Sequence, residues 1–406
     1  MEEKITRGVP FYKPSLDETD IEAVRSTLED GWITTGPKAK KFETGMAAYI
    51  GSKYALAVNS CTAALHLALA AAGIKKGDKV ITTPYTFAAS VETIIWCGAR
   101  PVLVDIDPET LNVDPVRVEK KIDKKTKALV SVDIAGLACE YDALQPLAKR
   151  KKLFLLADAA HSLGASYKGV KVGKLANATA FSFYSTKNLT TGEGGMLVTD
   201  DQKLHEKAAI LALHGMSKDA WKRYTSEGSW YYEIVAAGFK YNLSDLQASL
   251  GLAQLGKFPN LQKRRAFLAG LYDRQLAPYL DMLELPPRNG YSEHAWHMYM
   301  IRLKPKVLKI DRDELLRQLA VRGVGTSVHF IPVHLHPFYR KFLGHKPADF
   351  PNALATYKRI FTPPFYPAMS DEDVEYVCSM VGEILKANYK PALVPAGTKK
   401  KAELVG

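Results

Sequence analysis

The chain has 406 residues, of which 47% are hydrophobic and 24% charged, with a formal net charge of +12, which is ordinary globular material for one large domain and a smaller one. The lysines and arginines are interleaved with acids and match no nucleic-acid-binding motif, and no apolar run approaches the ~20 residues of a membrane span, so neither nucleic acid nor a bilayer is an expected partner. Four scattered cysteines with no Cys-x-x-Cys argue against a zinc or disulfide scaffold, and Met1–Arg7 lacks the apolar core of a secretory signal, which makes the cytoplasm the expected address.

Apolar runs at Ala55–Asn59, Lys79–Thr83, Pro101–Asp105, Ala128–Ile134 and Leu153–Ala157 read as strands. They alternate with helix-like segments near Thr62–Ala72, Phe87–Cys97, Pro115–Ile122 and Ala143–Arg150. This alternation predicts an α/β fold around a largely parallel sheet covered on both faces. Ligands of such sheets gather at the carboxyl ends of the strands. Ser60 follows the first strand as a helix N-cap, and a strand-to-helix turn of small residues with free N–H groups suits an anion. An ordinary capped helix explains the same pattern.

Asp158 ends the run Leu153–Ala157, and a carboxylate there is costly without a positive partner. That partner is either a structural Lys or Arg, or the protonated ring nitrogen of a bound cofactor. Ser166–Gly173 reads as a small hairpin with Gly169 at its tip. Ala178–Phe183 and Gly194–Asp200 then read as two more strands, joined by a polar, glycine-rich link that carries Lys187. A lysine displayed on such a link, with a carboxylate at a neighbouring strand end, suits Schiff-base chemistry with pyridoxal 5'-phosphate.

The texture changes after about Gln254: Lys257–Ala269 is charged and helical, and His297–Leu303 alternates like a strand. The expected division is a large domain over 10–255, a smaller α+β domain over 256–390, and a disordered tail over 391–406. His329, His334 and His336 share a stretch that reads as a strand running into a loop, and its Pro steps and lack of a nearby acid argue against a metal site.

Between about Pro10 and Lys386 the chain resembles the DegT/DnrJ/EryC1/StrS family of nucleotide-sugar aminotransferases. The likeness is carried by Gly31-Trp-Ile-Thr-Thr-Gly-Pro37, the Asp158-Ala-Ala-His161 block, the Lys187 block ending in Gly-Glu-Gly-Gly195, and Gly238-Phe-Lys-Tyr-Asn242-Leu-Ser-Asp245. It implies the aspartate-aminotransferase-like fold, called fold type I, with a mostly parallel mixed sheet in the large domain. It also implies that Lys187 holds pyridoxal phosphate covalently and that Asp158 meets the pyridine nitrogen. His161 then lies near the ring, Phe87 stacks on it, and Thr62, Ala63 and Ser182 bind the phosphate. The family usually has Gly where this chain has Cys61. By the same likeness Asn242 reaches the phosphate of a neighbouring subunit, so the expected assembly is a homodimer with shared sites, and His329 lines the sugar pocket.

The implied reaction takes an amino group from an amino acid, L-glutamate, to a keto group of a nucleotide-linked sugar by two half-reactions through one site. Lys187 carries the proton between carbons. Related dehydratases carry His at the lysine position, so the lysine favours transamination. The segment from Thr326 to His334 resembles members acting at C4 of a UDP-linked 4-keto-6-deoxy sugar more than those acting at C3, with a cyclitol ketone as a further alternative. A non-catalytic sensor on the same fold is expected to have lost Lys187 or Asp158, and this chain keeps both. The glycines after Lys187 do not form the dinucleotide-binding fingerprint of a hydride-transferring enzyme.

Overall fold

A computed structural model describes residues 8–217 and 232–390; the tail over 391–406 lies outside the described residues. The alternating runs form strands β1 (Tyr54–Val58), β2 (Lys79–Thr82), β3 (Arg100–Leu103), β4 (Thr126–Val132) and β5 (Phe154–Asp158). The hairpin β6 (Ser166–Tyr167) and β7 (Val170–Lys171) follows, then β8 (Ala178–Ser182) and β9 (Gly195–Thr199). Seven of these make one sheet in the order β1-β9-β8-β5-β4-β2-β3. From β8 to β3 all neighbours are parallel, and β9 alone runs against both β1 and β8. The expected mostly parallel mixed sheet is therefore present.

Side chains alternate between the two faces of a strand, so each near-continuous apolar run feeds two cores. Leu155, Phe181 and Met196 enter one core, where Phe42 and Phe258 meet them from covering helices. Their chain neighbours Leu156, Ala180 and Leu197 enter the other, under the helix Cys61–Ala71. All five residues of β8 and of β9 are buried.

A third core lies in the later half of the chain, around a three-stranded antiparallel sheet of Leu283–Glu284, Ile301–Leu303 and Ile360–Phe361. Val9 belongs to this core and bridges to Val324, so the chain from Val9 to Tyr12 packs with the later half. The boundary read at 255/256 falls inside one continuous helix, Asp245–Leu276. This helix starts with a Ser244–Gln247 capping box, carries Ala248 and Phe258 into the first core, and carries Leu268, Tyr272 and Leu276 into the third. The strand expected over His297–Leu303 covers only Ile301–Leu303. Residues 295–298 instead hydrogen-bond to the loop after β4, with Ala295 and His297 N–H donating to the Gly136 and Ala135 carbonyls at 2.9 and 3.0 Å.

Candidate active site

The turn after β1, the carboxyl ends of β5 and β8, and the β8–β9 loop meet at one cleft of about 400 Å³. Its walls include Thr62, Phe87, Asp158, His161, Ser182, Lys187 and His329. Seven of the nine residues singled out in the sequence thus converge from segments more than 260 positions apart.

Asp158 is 6% exposed at the end of β5. Its Oδ2 accepts a 2.6 Å hydrogen bond from Ser90 Oγ, and its Oδ1 accepts from the Ala160 N–H at 3.2 Å. Ser90 Oγ lies in turn 2.8 Å from Thr86 Oγ1. No Lys or Arg among the described residues lies within ion-pairing distance, which removes the structural salt bridge as its partner. Burial pushes the Asp158 carboxyl above the usual carboxylate range, against the pull of Ser90, the Ala160 N–H and the Lys187 charge. A carboxylate held this way, and lacking a cation, fits a protonated ring nitrogen.

Lys187 sits on the β8–β9 loop, where its N–H closes a turn onto the Tyr184 carbonyl at 2.9 Å. Burial in the cleft lowers its amine to about 8, while Cys61 and Asp158 pull the other way. Roughly a tenth of the amine is therefore neutral and nucleophilic at pH 7, far more than for a lysine of ordinary pKa.

At the turn after β1, Ser60 Oγ accepts the Ala63 N–H at 3.0 Å. Helical geometry leaves the Cys61 and Thr62 N–H groups without an intrahelical acceptor. These two donors, with the Ser182 hydroxyl across the cleft, suit a phosphate. Ala63, which the resemblance pairs with Thr62 as a phosphate ligand, is buried and its N–H already donates to Ser60 Oγ. The Cys61 side chain turns away from the turn, with Sγ 3.6 Å from the Ala180 carbonyl and 4.0 Å from Asp158 Oδ1. Gly195 is required here: a Cβ on it would stand 2.4 Å from the Ser60 carbonyl carbon.

His161 packs face to face with Phe330, their centroids 5.7 Å apart. The Ala135 N–H can only donate, and it meets His161 Nδ1 at 3.3 Å, so Nδ1 is the acceptor and the ring proton sits on Nε2. Burial first, then the Lys187 and His329 charges, holds His161 well below the ordinary imidazole range. Phe87 is 64% exposed on the cleft, which is the placement of a stacking face rather than of a core aromatic. His329 reaches Thr362 Oγ1 through Nδ1 at 2.9 Å and is pushed down to about 4 by burial, then by Lys187.

Asn242 does not reach this cleft. It lies beside β1, bridging to Val58, and donates to Thr35 Oγ1 at 2.6 Å. Reading the sequence did not single out Ser90, Phe330 or His297, which also shape the cleft or its carboxylate. Ser90 lies four residues from Thr86 on an otherwise apolar stretch, and that spacing is the one local sign of a hydroxyl pair. Among the described residues no group of three His, Cys, Asp or Glu side chains gathers as a metal site, and no helix is long and apolar enough to cross a membrane.

Comparison with known proteins gives this geometry a lineage. The spore coat polysaccharide biosynthesis protein SpsC of Bacillus subtilis is 49% identical over 387 residues, covering 95% of this chain and 99% of SpsC. A putative sugar aminotransferase of Streptococcus pneumoniae, Spr1654, superimposes with a TM-score of 0.88 at 34% identity in its PMP form, over 93% of this chain and 99% of its own. The same protein in its PLP form gives 0.88 at 33% identity over 94% and 99%. PseC of Helicobacter pylori, an aminotransferase involved in the biosynthesis of pseudoaminic acid, gives 0.86 at 31% identity over 94% and 100%. The sequence model of the DegT/DnrJ/EryC1/StrS aminotransferase family matches residues 14–382. With a lysine, a buried acid and a helix N-terminus with free N–H groups in one cleft, the chain belongs to this family, as a pyridoxal-phosphate-dependent sugar aminotransferase.

Proposed function

We propose that the enzyme moves the amino group of L-glutamate to the C4 keto group of a UDP-linked 4-keto-6-deoxy sugar, in the building of a surface polysaccharide. The observation that carries the transaminase reading is the Lys187 amine, lowered to about 8 by burial, near the buried Asp158 carboxylate, which no Lys or Arg among the described residues ion-pairs. The polysaccharide context draws support from SpsC, a spore coat polysaccharide biosynthesis protein, and the sugar context from PseC, an aminotransferase of pseudoaminic acid biosynthesis.

Each residue has a share in the reaction. Asp158, fixed by Ser90 and the Ala160 N–H, would keep the cofactor's ring nitrogen protonated, and the Cys61 and Thr62 N–H groups with Ser182 would hold its phosphate. Exposed on the cleft wall, Phe87 would stack on the ring of such a cofactor, and the His161 Nε2–H would donate to an oxygen on it. Pyridoxal phosphate supplies the electron sink that makes the donor's α-proton removable and stores the amino group between half-reactions. Lys187 takes that proton and returns it one carbon away, and a base with a pKa near the working pH is suited to both transfers. His329, neutral and on the cleft wall, lines the sugar side. Asn242, turned away from its own cleft, completes the phosphate site of a partner subunit in a cytoplasmic homodimer.

The test is to incubate the enzyme, cofactor and L-glutamate with a UDP-4-keto-6-deoxy sugar and to look for the amino sugar by mass and by NMR at C4. Amination at another carbon would sink the C4 assignment, and no aminated product from any keto-sugar or cyclitol ketone would sink the acceptor class.

A further inference from the structure

One imidazole in the cleft has no part in the chemistry above. His297 stacks on His161 at 4.6 Å between centroids and 29° between planes, and lines the cleft with Lys187. Its tautomer follows from its neighbours. Asn188, the residue after Lys187, places its Nδ2 2.6 Å from the Ala295 carbonyl and 2.9 Å from Gln262 Oε1. A carbonyl only accepts, so the amide nitrogen faces Ala295, and Asn188 Oδ1 is left facing His297 Nδ1 at 3.2 Å. An amide oxygen only accepts, so Nδ1 carries the ring proton and Nε2 keeps its lone pair. That contact is the only hydrogen bond of the His297 ring among the described residues. Burial, then the Lys187 and His161 charges, keeps the ring neutral.

The backbone is built to hold this pair. Ala135 and Trp296 are both non-glycine residues in the left-handed region, at φ of 55° and 50°, a costly conformation that persists where surroundings over-determine it. The Ala135 N–H fixes His161, and the Ala135 carbonyl accepts from the N–H of His297 and of Met298 at 3.0 and 3.3 Å. Gly136 admits the approach, since a Cβ on it would stand 3.0 Å from the Trp296 nitrogen. Arg265, 1% exposed, donates through Nη1 to the Trp296 and His297 carbonyls at 3.1 and 3.3 Å. The two strained residues thus carry two imidazoles of opposite hydrogen-bonding sense, a donor Nε2–H on His161 and an acceptor Nε2 on His297.

We infer that His297 is a substrate-contacting residue whose unprotonated Nε2 accepts a hydrogen bond from a sugar hydroxyl beside the reacting carbon, and that Asn188 is the positioning residue that sets this tautomer. The hydroxyl as ligand rests on the sugar-aminotransferase reading. The tautomer does not, because it follows from protein contacts alone. Asn188 thereby ties the Lys187 loop to the later half of the chain through Gln262, Ala295 and His297.

The test has two arms. In the first, nitrogen-15 NMR of histidine-labelled, cofactor-free full chain is expected to show His297 protonated on Nδ1, with that preference lost in Asn188→Ala and kept in Asn188→Asp. A wild-type proton on Nε2 overturns the inference. In the second, His297→Phe keeps the stack and removes the acceptor. It is expected to raise KM for a UDP-4-keto-6-deoxy sugar by roughly tenfold, as for one lost hydrogen bond, with a smaller effect on the glutamate half-reaction and partial rescue by His297→Gln. An equal loss in both half-reactions overturns the substrate contact. A wild type inert toward glutamate would count against the transaminase reading instead, and the nitrogen spectrum separates that failure from this one.

Discussion

Among single residues, the chemistry turns on a lysine and a carboxylate whose charges are set by burial. The Lys187 amine, lowered to about 8, is protonated below that pH and neutral above it. The rate at which cofactor-free protein captures pyridoxal phosphate is therefore expected to climb with pH and level off above about 8, read by stopped-flow absorbance. A plateau beginning at pH 10, the range of an ordinary lysine, would contradict the burial argument. Asp158 depends on Ser90, which gives it the 2.6 Å hydrogen bond. Hydrogen bonds to charged groups are worth ~1.5–3 kcal/mol, so Ser90→Ala is expected to weaken cofactor affinity by about tenfold or more, measured by fluorescence titration. Asp158 and Lys187 were legible in the sequence because one ends an apolar strand and the other stands on the polar link between two more. Ser90 was not, because a serine one turn into an apolar helix reads as filler until the fold brings β5 beneath it. His297 was hidden for a related reason: its direction is set by the left-handed Trp296 and by the Ala135 carbonyl, about 160 positions earlier in the chain.

At the level of elements, two distant motifs prove to be one joint. Gly36 caps the helix Pro37–Ile50 with no side chain of its own. Asp245, 1% exposed, does that work from the start of the long helix, accepting from the Gly36, Lys38 and Ala39 N–H groups at 2.8, 3.0 and 2.9 Å. A negative charge at a helix N-terminus is favourable, and Asp245→Ala would leave buried donors unpaired. The expected cost is about 3 kcal/mol of unfolding free energy in urea titration, whereas a change under 1 kcal/mol would show that the joint is idle. The strands of the large sheet and the four helices read between Thr62 and Arg150 were legible to within a residue or two, since each is an apolar run or helical segment bounded by turn residues, whereas the helices Pro37–Ile50 and Gln202–Ala212 were not read. The change of texture after Gln254, from which the boundary at 255/256 was read, falls within the helix Asp245–Leu276. The Ser244 capping box and the burial of Phe258 in the first core carry the helix through that point.

At the level of the whole molecule, a site assembled from β1, β5, β8 and the later half is expected to draw one more residue from a second copy. Asn242 faces away from its own cleft. If it completes a partner's phosphate site, mixing Lys187→Ala with Asn242→Ala subunits restores wild-type sites in the hybrid dimers. Random reassortment in a two-fold dimer then gives roughly a quarter of wild-type activity at limiting cofactor. Activity no higher than the mean of the two variants alone would place Asn242 outside the site.

Lys187 and Asp158 together are expected to run the first half-reaction, and an absorbance spectrum reads it out. Purified protein is mixed with pyridoxal phosphate, then with L-glutamate, beside Lys187→Ala. The wild type is expected to turn yellow as the lysine-linked cofactor forms, and to lose that colour on adding glutamate as 2-oxoglutarate appears, while the variant yields no 2-oxoglutarate. A wild type that binds no cofactor, or a Lys187→Ala variant that produces 2-oxoglutarate at the same rate, would contradict the account.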